Sequence, residues 1–535
     1  MLQPSAFQAA IYDHVRAMSD SLVIEATAGA GKTTVLVEIA RLLPADIDAV
    51  FLAFNRHTAA QLKDKLPTPT RSRTVHSLGF ATLARRAGSL PQPDRRKYSA
   101  LVKEAVGRLL RDSFHDEYDG AVRYLSGLVH FAKVRFIDPG SFQQIADLAD
   151  RYALLPPGDA GLQGALHAQL PKVLSKGVSL AVAGTSLDYT DMLYAPLVAG
   201  LTPPHFDFVA VDEAQDLNPL QVEFILKLAR PSGRYVFVGD PFQAIYSFAG
   251  ASQDVMSSLV SRTSAATLPL SVSYRCPRRH VQLARSISPD IRAAPDAPEG
   301  SITFLGDGDL LGRLRAKDLV LCRTNAPLFR LALDLLKVGK PAVMLGRDVA
   351  AQIEQILDNA LGGSLAGWGQ RLDAFEQVEG ERIARRIRDP YASKRALHQL
   401  SDLVACARHL VLAAERAGAT AKDAAVAYMR RLFEGRHGVI TLATVHRAKG
   451  KEAARVFILY PDLMPASFAR TPEDRAAEDF VRFVALTRAK HSLFFVTSEG
   501  EAAGWWCQSQ PRQGAPTEGQ KQRGDASTGR QVGLG

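Results

Sequence analysis

The sequence predicts an α/β chain of parallel sheets covered on both faces, in two strand–helix halves that are each interrupted by a mainly helical insertion. Three observations carry this. Short apolar runs at residues 22–24, 49–54, 206–211 and 235–238 alternate with helical patterns, and a second series of such runs starts near residue 268. Two long stretches, 81–183 and 349–436, have helical spacing with many charged residues. Several of the apolar runs also end abruptly in polar loops, where an open α/β sheet forms its ligand crevice.

Residues 4–15 read as a first helix, in which Ser5 and Gln8 stand three apart as in a capping box. An amide just upstream of a phosphate loop can equally offer a donor and an acceptor to a base edge, and local sequence leaves both readings of Gln8 open. Residues 21–41 (SLVIEATAGAGKTTVLVEIAR) then read as strand, glycine-rich loop and helix, with Gly31, Lys32 and Thr33 as the G-K-[ST] end of a phosphate loop. Ala26 stands where that pattern has its first Gly. The small residues Ala28, Gly29, Ala30 and Gly31 let backbone N–H groups approach an anion, which would sit at the helix N-terminus beside Lys32, Thr33 and Thr34. Lys32 supplies a point charge for outer phosphates, and the Thr33 hydroxyl can ligate Mg²⁺.

Further along, 55–66 is expected to be a helix and 73–80 (RTVHSLGF) a short strand or turn. The run 206–211 leads straight into Asp212-Glu213-Ala214-Gln215-Asp216, and 235–238 leads into Gly239-Asp240-Pro241-Phe242-Gln243. A solvated acidic turn is the plain alternative for Asp212 and Glu213. Both follow mostly apolar residues directly, however, where phosphoryl transfer needs a metal-binding carboxylate and a water-activating one. In the second half, strands are expected at 273–277 (SYRCP), 318–323, 439–444, 456–459 and 493–496. Residues 499–535 are polar and rich in Gly, Gln, Pro, Ser and Thr, and are expected to be a flexible tail.

Composition narrows the class. The 65 Lys+Arg against 55 Asp+Glu give a net charge of +10, which favours a polyanionic partner. Four widely spaced cysteines, with no C-x-x-C pair, indicate neither a disulfide framework nor a zinc site and point to a reduced, intracellular setting. No apolar run is long enough for a membrane span, so no membrane is expected as a partner, and the N-terminus lacks the apolar core of a signal peptide.

With the phosphate loop, DEAQD, GDPFQAIYSFAGA, SYRCP, TVHRAKGKE and VALTRAK in this order, the chain resembles the superfamily 1 helicases of the UvrD/Rep/PcrA type. The resemblance implies two RecA-like motor domains in tandem: 1–80 with 184–267, and 268–348 with 437–498, with 81–183 and 349–436 as their helical insertions. Both insertions are shorter than in the better-known members. It implies ATP and Mg²⁺ as cofactors. Gln8 matches the adenine-reading glutamine, Lys32 and Thr33 the phosphate and Mg²⁺ ligands, Asp212 the Mg²⁺ carboxylate and Glu213 the residue that activates water. Gln243 matches the γ-phosphate sensor, Tyr274 the adenine-stacking ring, Arg275 and Arg488 the arginines that complete the site from the second domain, and Glu452 a glutamate near the ribose.

The same resemblance places Phe54, Asn55, Thr74, His76, Tyr246, Phe248, Thr444 and His446 along a single-strand groove. Phe248 stands where relatives usually carry Trp, and Lys451 and Ala453 replace two apolar residues of the fifth motif. From the residues alone, core packing is the alternative for the aromatics, and a structural histidine is as good a reading of His76 and His446 as a phosphate contact. The implied activity is an ATP-dependent DNA helicase moving 3′→5′ on single-stranded DNA and at single/double-strand junctions, in a bacterial or phage-type cytoplasm. The alternatives are a translocase that displaces proteins with little unwinding, or an ATP-dependent subunit controlling a partner nuclease. The tail is the expected seat of any protein partner.

Overall fold

The structure is a computed structural model, and it describes residues 4–498 apart from 18–19, 54–55, 69, 111–114, 153, 246–253, 388–389 and 434–438. Phe54, Asn55, Tyr246, Phe248 and the expected tail therefore lie outside the described residues.

Fourteen strands are present among the described residues: β1 Leu22–Ala26, β2 Ala49–Ala53, β3 Arg71–Thr74, β4 Phe206–Val211, β5 Ala229–Gly239, β6 Ala266–Leu270, β7 Val272–Ser273, β8 Arg292–Ala293, β9 Ser301–Gly306, β10 Leu319–Cys322, β11 Ala342–Met344, β12 Ile440–Thr444, β13 Ala453–Leu459 and β14 Ala489–Thr497. Two six-stranded sheets result, in the orders β3-β2-β4-β5-β1-β6 and β11-β12-β10-β13-β14-β9. Every pairing in them is parallel. The chain is thus α/β with two RecA-like sheets in tandem.

The near-continuous apolar runs follow from burial on both faces. In β1, Leu22 and Ile24 pack with Val35, Ile39, Phe208 and Val238. Val23, pointing the other way, packs with Val50, Leu52, Val209 and Phe237 under the helices of the first insertion. The second sheet repeats the division, with Val320 and Phe457 on one face and Leu321 and Ile458 on the other.

Three expectations need correction. Residues 73–80 are a short strand only as far as Thr74, where β3 ends; the Thr74 side chain accepts from Ser77 N and caps the helix Val75–Ala87, which takes the rest. Of SYRCP only Ser273 is in a strand, and that strand pairs with β8 in a small separate sheet; the rest is a turn, since Pro277 removes a ladder donor. The run near residue 268 belongs to β6, which pairs with β1 from Leu22↔Ala266 to Ala26↔Leu270, so the first sheet extends across the expected boundary at 267.

A buried charge cluster ties helices of the stretch 81–183 to the segment that follows it. Asp191, 0% exposed, accepts from Lys97 Nζ at 2.5 Å, from Lys133 Nζ at 3.2 Å and from Tyr98 Oη at 2.7 Å. Asp188 accepts from Lys133 at 2.8 Å. These contacts tie the helices Lys97–Leu109 and His115–Arg135 to the short segment 188–191. Among the described residues no helix is long and apolar enough to cross a membrane.

Candidate functional site

The phosphate loop connects β1 to the helix Lys32–Leu42, and it forms because two glycines take backbone conformations that side chains resist. Gly29 has φ 74° and Gly31 φ 83°. No side chain caps the helix, so its first N–H groups point into the loop unpaired and make an anion site. Gly29 is needed for a second reason. A Cβ there would lie 2.5 Å from Arg275 Cβ and 2.9 Å from Ser273 Oγ, and Tyr274 N donates to Gly29 O at 2.9 Å. The loop is thereby pressed directly against the SYRCP turn.

β4 and β5 bring the acidic groups to the same end of the sheet. Glu213 has a left-handed backbone, φ 53°, a strain that non-glycine residues hold where the surroundings enforce it. Its carboxylate accepts from Lys32 Nζ at 2.6 Å and from Gln215 Nε2 at 2.6 Å. Gln215 accepts in turn from Asp240 N at 3.0 Å. Burial alone would push the Glu213 carboxyl up, but the charges of Lys32 and Lys449 outweigh it and hold the group below the usual carboxylate range. Asp212 goes the other way, raised by burial and then by the Glu213 charge beside it. Burial also raises Asp240 and Asp216, each to about 6. The two neighbouring carboxylates are thus driven apart, one kept ionised and one ready to be neutralised by a cation.

The second half contributes cations across the interface. Arg488, 1% exposed, donates from Nη2 to Gln243 Oε1 at 2.9 Å, and Gln243 Nε2 donates to Asp240 Oδ2 at 2.5 Å. Burial, then the charge of Arg275, lowers the Arg488 guanidinium to about 10, which leaves it charged at neutral pH. Arg275 is ion-paired to Glu452 at 2.6 Å, and Glu452 also pairs with Lys490. Lys449 donates to Asp216 at 2.6 Å and to the Gln243 carbonyl, a buried ion pair between the halves. Phe242 meets Phe480 and Phe483 edge-on or tilted, at ring distances of 5.8 and 5.9 Å.

Gln8 and Ser5 form the reciprocal capping box, with Ser5 N donating to Gln8 Oε1 at 2.9 Å and Gln8 N to Ser5 Oγ at 3.3 Å. Tyr274, by contrast, is half exposed beside the loop.

A second concavity, a cavity of about 620 Å³, lies at the carboxyl ends of β10 and β12. Its walls include Thr444, His446, Arg323, Arg395, His398 and Arg447. Arg323 is held by a forked interaction with Glu478 at 2.6–3.2 Å. Burial, followed by the charges of Arg323, Arg447 and Lys449, lowers His446 to about 3, so its imidazole is neutral. On the first half, burial lowers His76 to about 4, and its ring stacks on Tyr189 at 4.0 Å and 19°. Tyr189 is 61% exposed, between Asp188 and Asp191 of the buried cluster.

The structure thus gathers Lys32, Asp212, Glu213, Gln243, Arg275, Arg488 and Glu452 round the phosphate loop, and Thr444 and His446 in one groove. Thr74 serves as a helix cap. Sequence reasoning missed Gln215, Lys449 and Tyr189 as candidates. The first two stand inside the quoted motifs DEAQD and TVHRAKGKE, so motif membership was the available signal, whereas Tyr189 has no local signature.

Comparison with known proteins gives the family. Residues 8–263 match the UvrD/REP helicase N-terminal domain, and residues 374–500 match the UvrD-like helicase C-terminal domain. The chain is 23% identical to the ATP-dependent DNA helicase PcrA of Leuconostoc citreum over 421 residues, 69% of this chain and 53% of that protein. It is 26% identical to the ATP-dependent DNA helicase UvrD2 of Mycobacterium tuberculosis over 289 residues, 49% of this chain and 40% of that protein. DNA helicase IV of Escherichia coli is 24% identical over 272 residues, 44% of this chain and 40% of that protein. The chain therefore spans about half the length of the relatives it matches. With both family domains matched in order on two parallel sheets whose facing ends carry the phosphate loop and its arginines, the chain belongs to the UvrD/Rep helicase family.

Proposed function

We propose that this chain is a motor that hydrolyses ATP at the junction of its two halves and uses the cycle to move along single-stranded DNA and open duplex ahead of it. The observation that carries this reading is the bond from Arg488 to Gln243, which puts a buried guanidinium of the second half at the phosphate-loop site of the first. Arginines that meet developing charge in phosphoryl transfer are worth ~10³–10⁵ in rate. Setting them on the opposite half makes hydrolysis depend on how the halves are closed.

In this reading the unpaired N–H groups of the phosphate loop, with Lys32, hold the polyphosphate. Gln8 and Tyr274 hold the base, and Glu452 lies by the ribose while steadying Arg275. Glu213, kept ionised by its cationic neighbours, orients and deprotonates the attacking water, with Gln215 fixing its carboxylate. Thr33 and Asp212 are oxygen donors of the kind that hold Mg²⁺ together with substrate phosphates, and the raised Asp212 carboxyl fits a site that a cation relieves. Mg²⁺ there would neutralise phosphate charge.

The groove with Thr444 and His446 would take the strand's phosphates, and the exposed Tyr189 ring, stacked on His76, offers a base-stacking face. The 3′→5′ direction follows from the family resemblance. The experiment is strand displacement on duplexes with a single 3′ or 5′ tail, with ATP and Mg²⁺. Opening of the 3′-tailed substrate alone is expected; opening of the 5′-tailed one, or of neither, overturns the polarity or the unwinding reading respectively.

A further inference from the structure

We propose that the seam between the helices Ala326–Lys337 and Pro390–Arg416 is a second DNA-phosphate site, taking the nucleotides next to those in the groove at Thr444 and His446. This rests on the DNA reading above. The seam holds a cavity of about 290 Å³ with Arg330, Lys337, His409 and Arg416 around an apolar floor that includes Leu412. Asp334, the acidic side chain lining it, is ion-paired to Lys337 at 2.8 Å. Among the described residues no carboxylate pairs with Arg330 or Arg416, so two exposed guanidinium groups face the cavity uncompensated. Guanidinium forks match phosphate oxygens.

Continuity with the groove argues for DNA as the occupant. Arg395, His398 and Asp402 line the larger cavity, and His409, Ala413 and Arg416 the smaller one. Their three- and four-residue spacings place them on a single stripe of one helix. At 1.5 Å per residue, His409 lies about 16 Å along that helix from His398. The facing helix repeats the order, with Asn325 at the larger cavity and Arg330 and Lys337 at the smaller one. Between the two, Asp402 accepts from Asn325 N at 2.9 Å and from Ala326 N at 2.8 Å. Asp402 thus pins the two helices together where the cavities meet. A basic path leaves the groove and runs down the seam.

The occupant is either the continuing single strand or the flanking duplex, which present the same phosphates. The test is equilibrium binding by fluorescence anisotropy across a salt series, using the full chain. The probes are a short single strand that fills the groove, a longer single strand, and a duplex bearing the short tail. In Arg330→Gln/Arg416→Gln, affinity for at least one larger probe is expected to fall about tenfold and the log–log salt slope by about 1.5, as for two lost phosphate contacts. Affinity for the short strand is expected to hold, and Asp334→Asn is expected to tighten the larger probe. Loss on the long single strand identifies the strand as occupant; loss on the tailed duplex alone identifies the duplex. Equal binding by variant and wild type on all probes, or an equal loss on the short one, overturns the site. If wild type binds none of the probes, the DNA reading itself falls and the site with it.

Discussion

Arg488 Nη2 lies 2.9 Å from Gln243 Oε1, joining the start of β14 to the loop after β5 across the junction of the two sheets. The same arginine donates from Nε to Val484 O at 2.8 Å, which anchors it to its own half while its tip reaches the other. In the proposed motor this would let it report closure of the halves to the nucleotide. Arg488→Lys keeps charge but loses the fork, and it is expected to lower kcat for ATP hydrolysis by about 10³. ATP affinity should change far less, and nucleotide titration beside steady-state kinetics separates the two.

Gly29 and Gly31 share a left-handed backbone but differ in surroundings. At Gly31 the nearest atom to an added Cβ is 3.8 Å away, so Gly31→Ala meets only the conformational penalty, about 1–2 kcal/mol. At Gly29 the same penalty is joined by a clash with Arg275 and Ser273. Gly29→Ala is expected to weaken both nucleotide binding and hydrolysis, and to do so more than Gly31→Ala. Equal effects in the two variants would show that the loop does not press on the SYRCP turn.

Tyr189 presents an exposed ring backed by His76. Tyr189→Ala is expected to cost about 1–3 kcal/mol of single-strand affinity, the worth of one stacked base. Tyr189→Phe should restore most of it, because the face and not the hydroxyl makes the contact. Anisotropy on a homopolymer single strand measures this directly.

His446 gives a pH signature. Its folded-state value of about 3 is below the ordinary 6.5, so between these the unfolded chain binds the extra proton and stability falls as pH falls. From pH 7 to 5 the group accounts for up to about 2 kcal/mol of lost stability. His446→Gln is expected to remove that part of the acid loss, seen as a smaller shift in denaturation midpoint between the two pH values.

Much of this was legible because the chemistry is local. Lys32, Thr33, Asp212 and Glu213 sit where a buried strand ends, and apolar runs followed by polar residues mark such places. Pairings across the junction, such as Lys449 with Asp216, join residues 233 positions apart, and spacing cannot show them. The strands β9 and β11 are not read from the sequence because they are partly exposed sheet edges, and β11 is only three residues long, so neither makes a sustained apolar run. SYRCP was misread for the opposite reason: it is buried by the phosphate loop and not by strand neighbours. For Gln8 the capping contact is present and uses Oε1 and the backbone N, not Nε2.

In the proposed cycle Glu213, ionised beside Lys32, drives ATP hydrolysis that DNA controls. Steady-state hydrolysis with and without single-stranded DNA, on wild type and Glu213→Gln across a salt series, tests it most directly. Strong stimulation by DNA is expected in wild type, weakening with salt as phosphate contacts are screened, with hydrolysis lost in the variant while nucleotide binding persists. Robust hydrolysis indifferent to DNA, or a variant that hydrolyses like wild type, would contradict it.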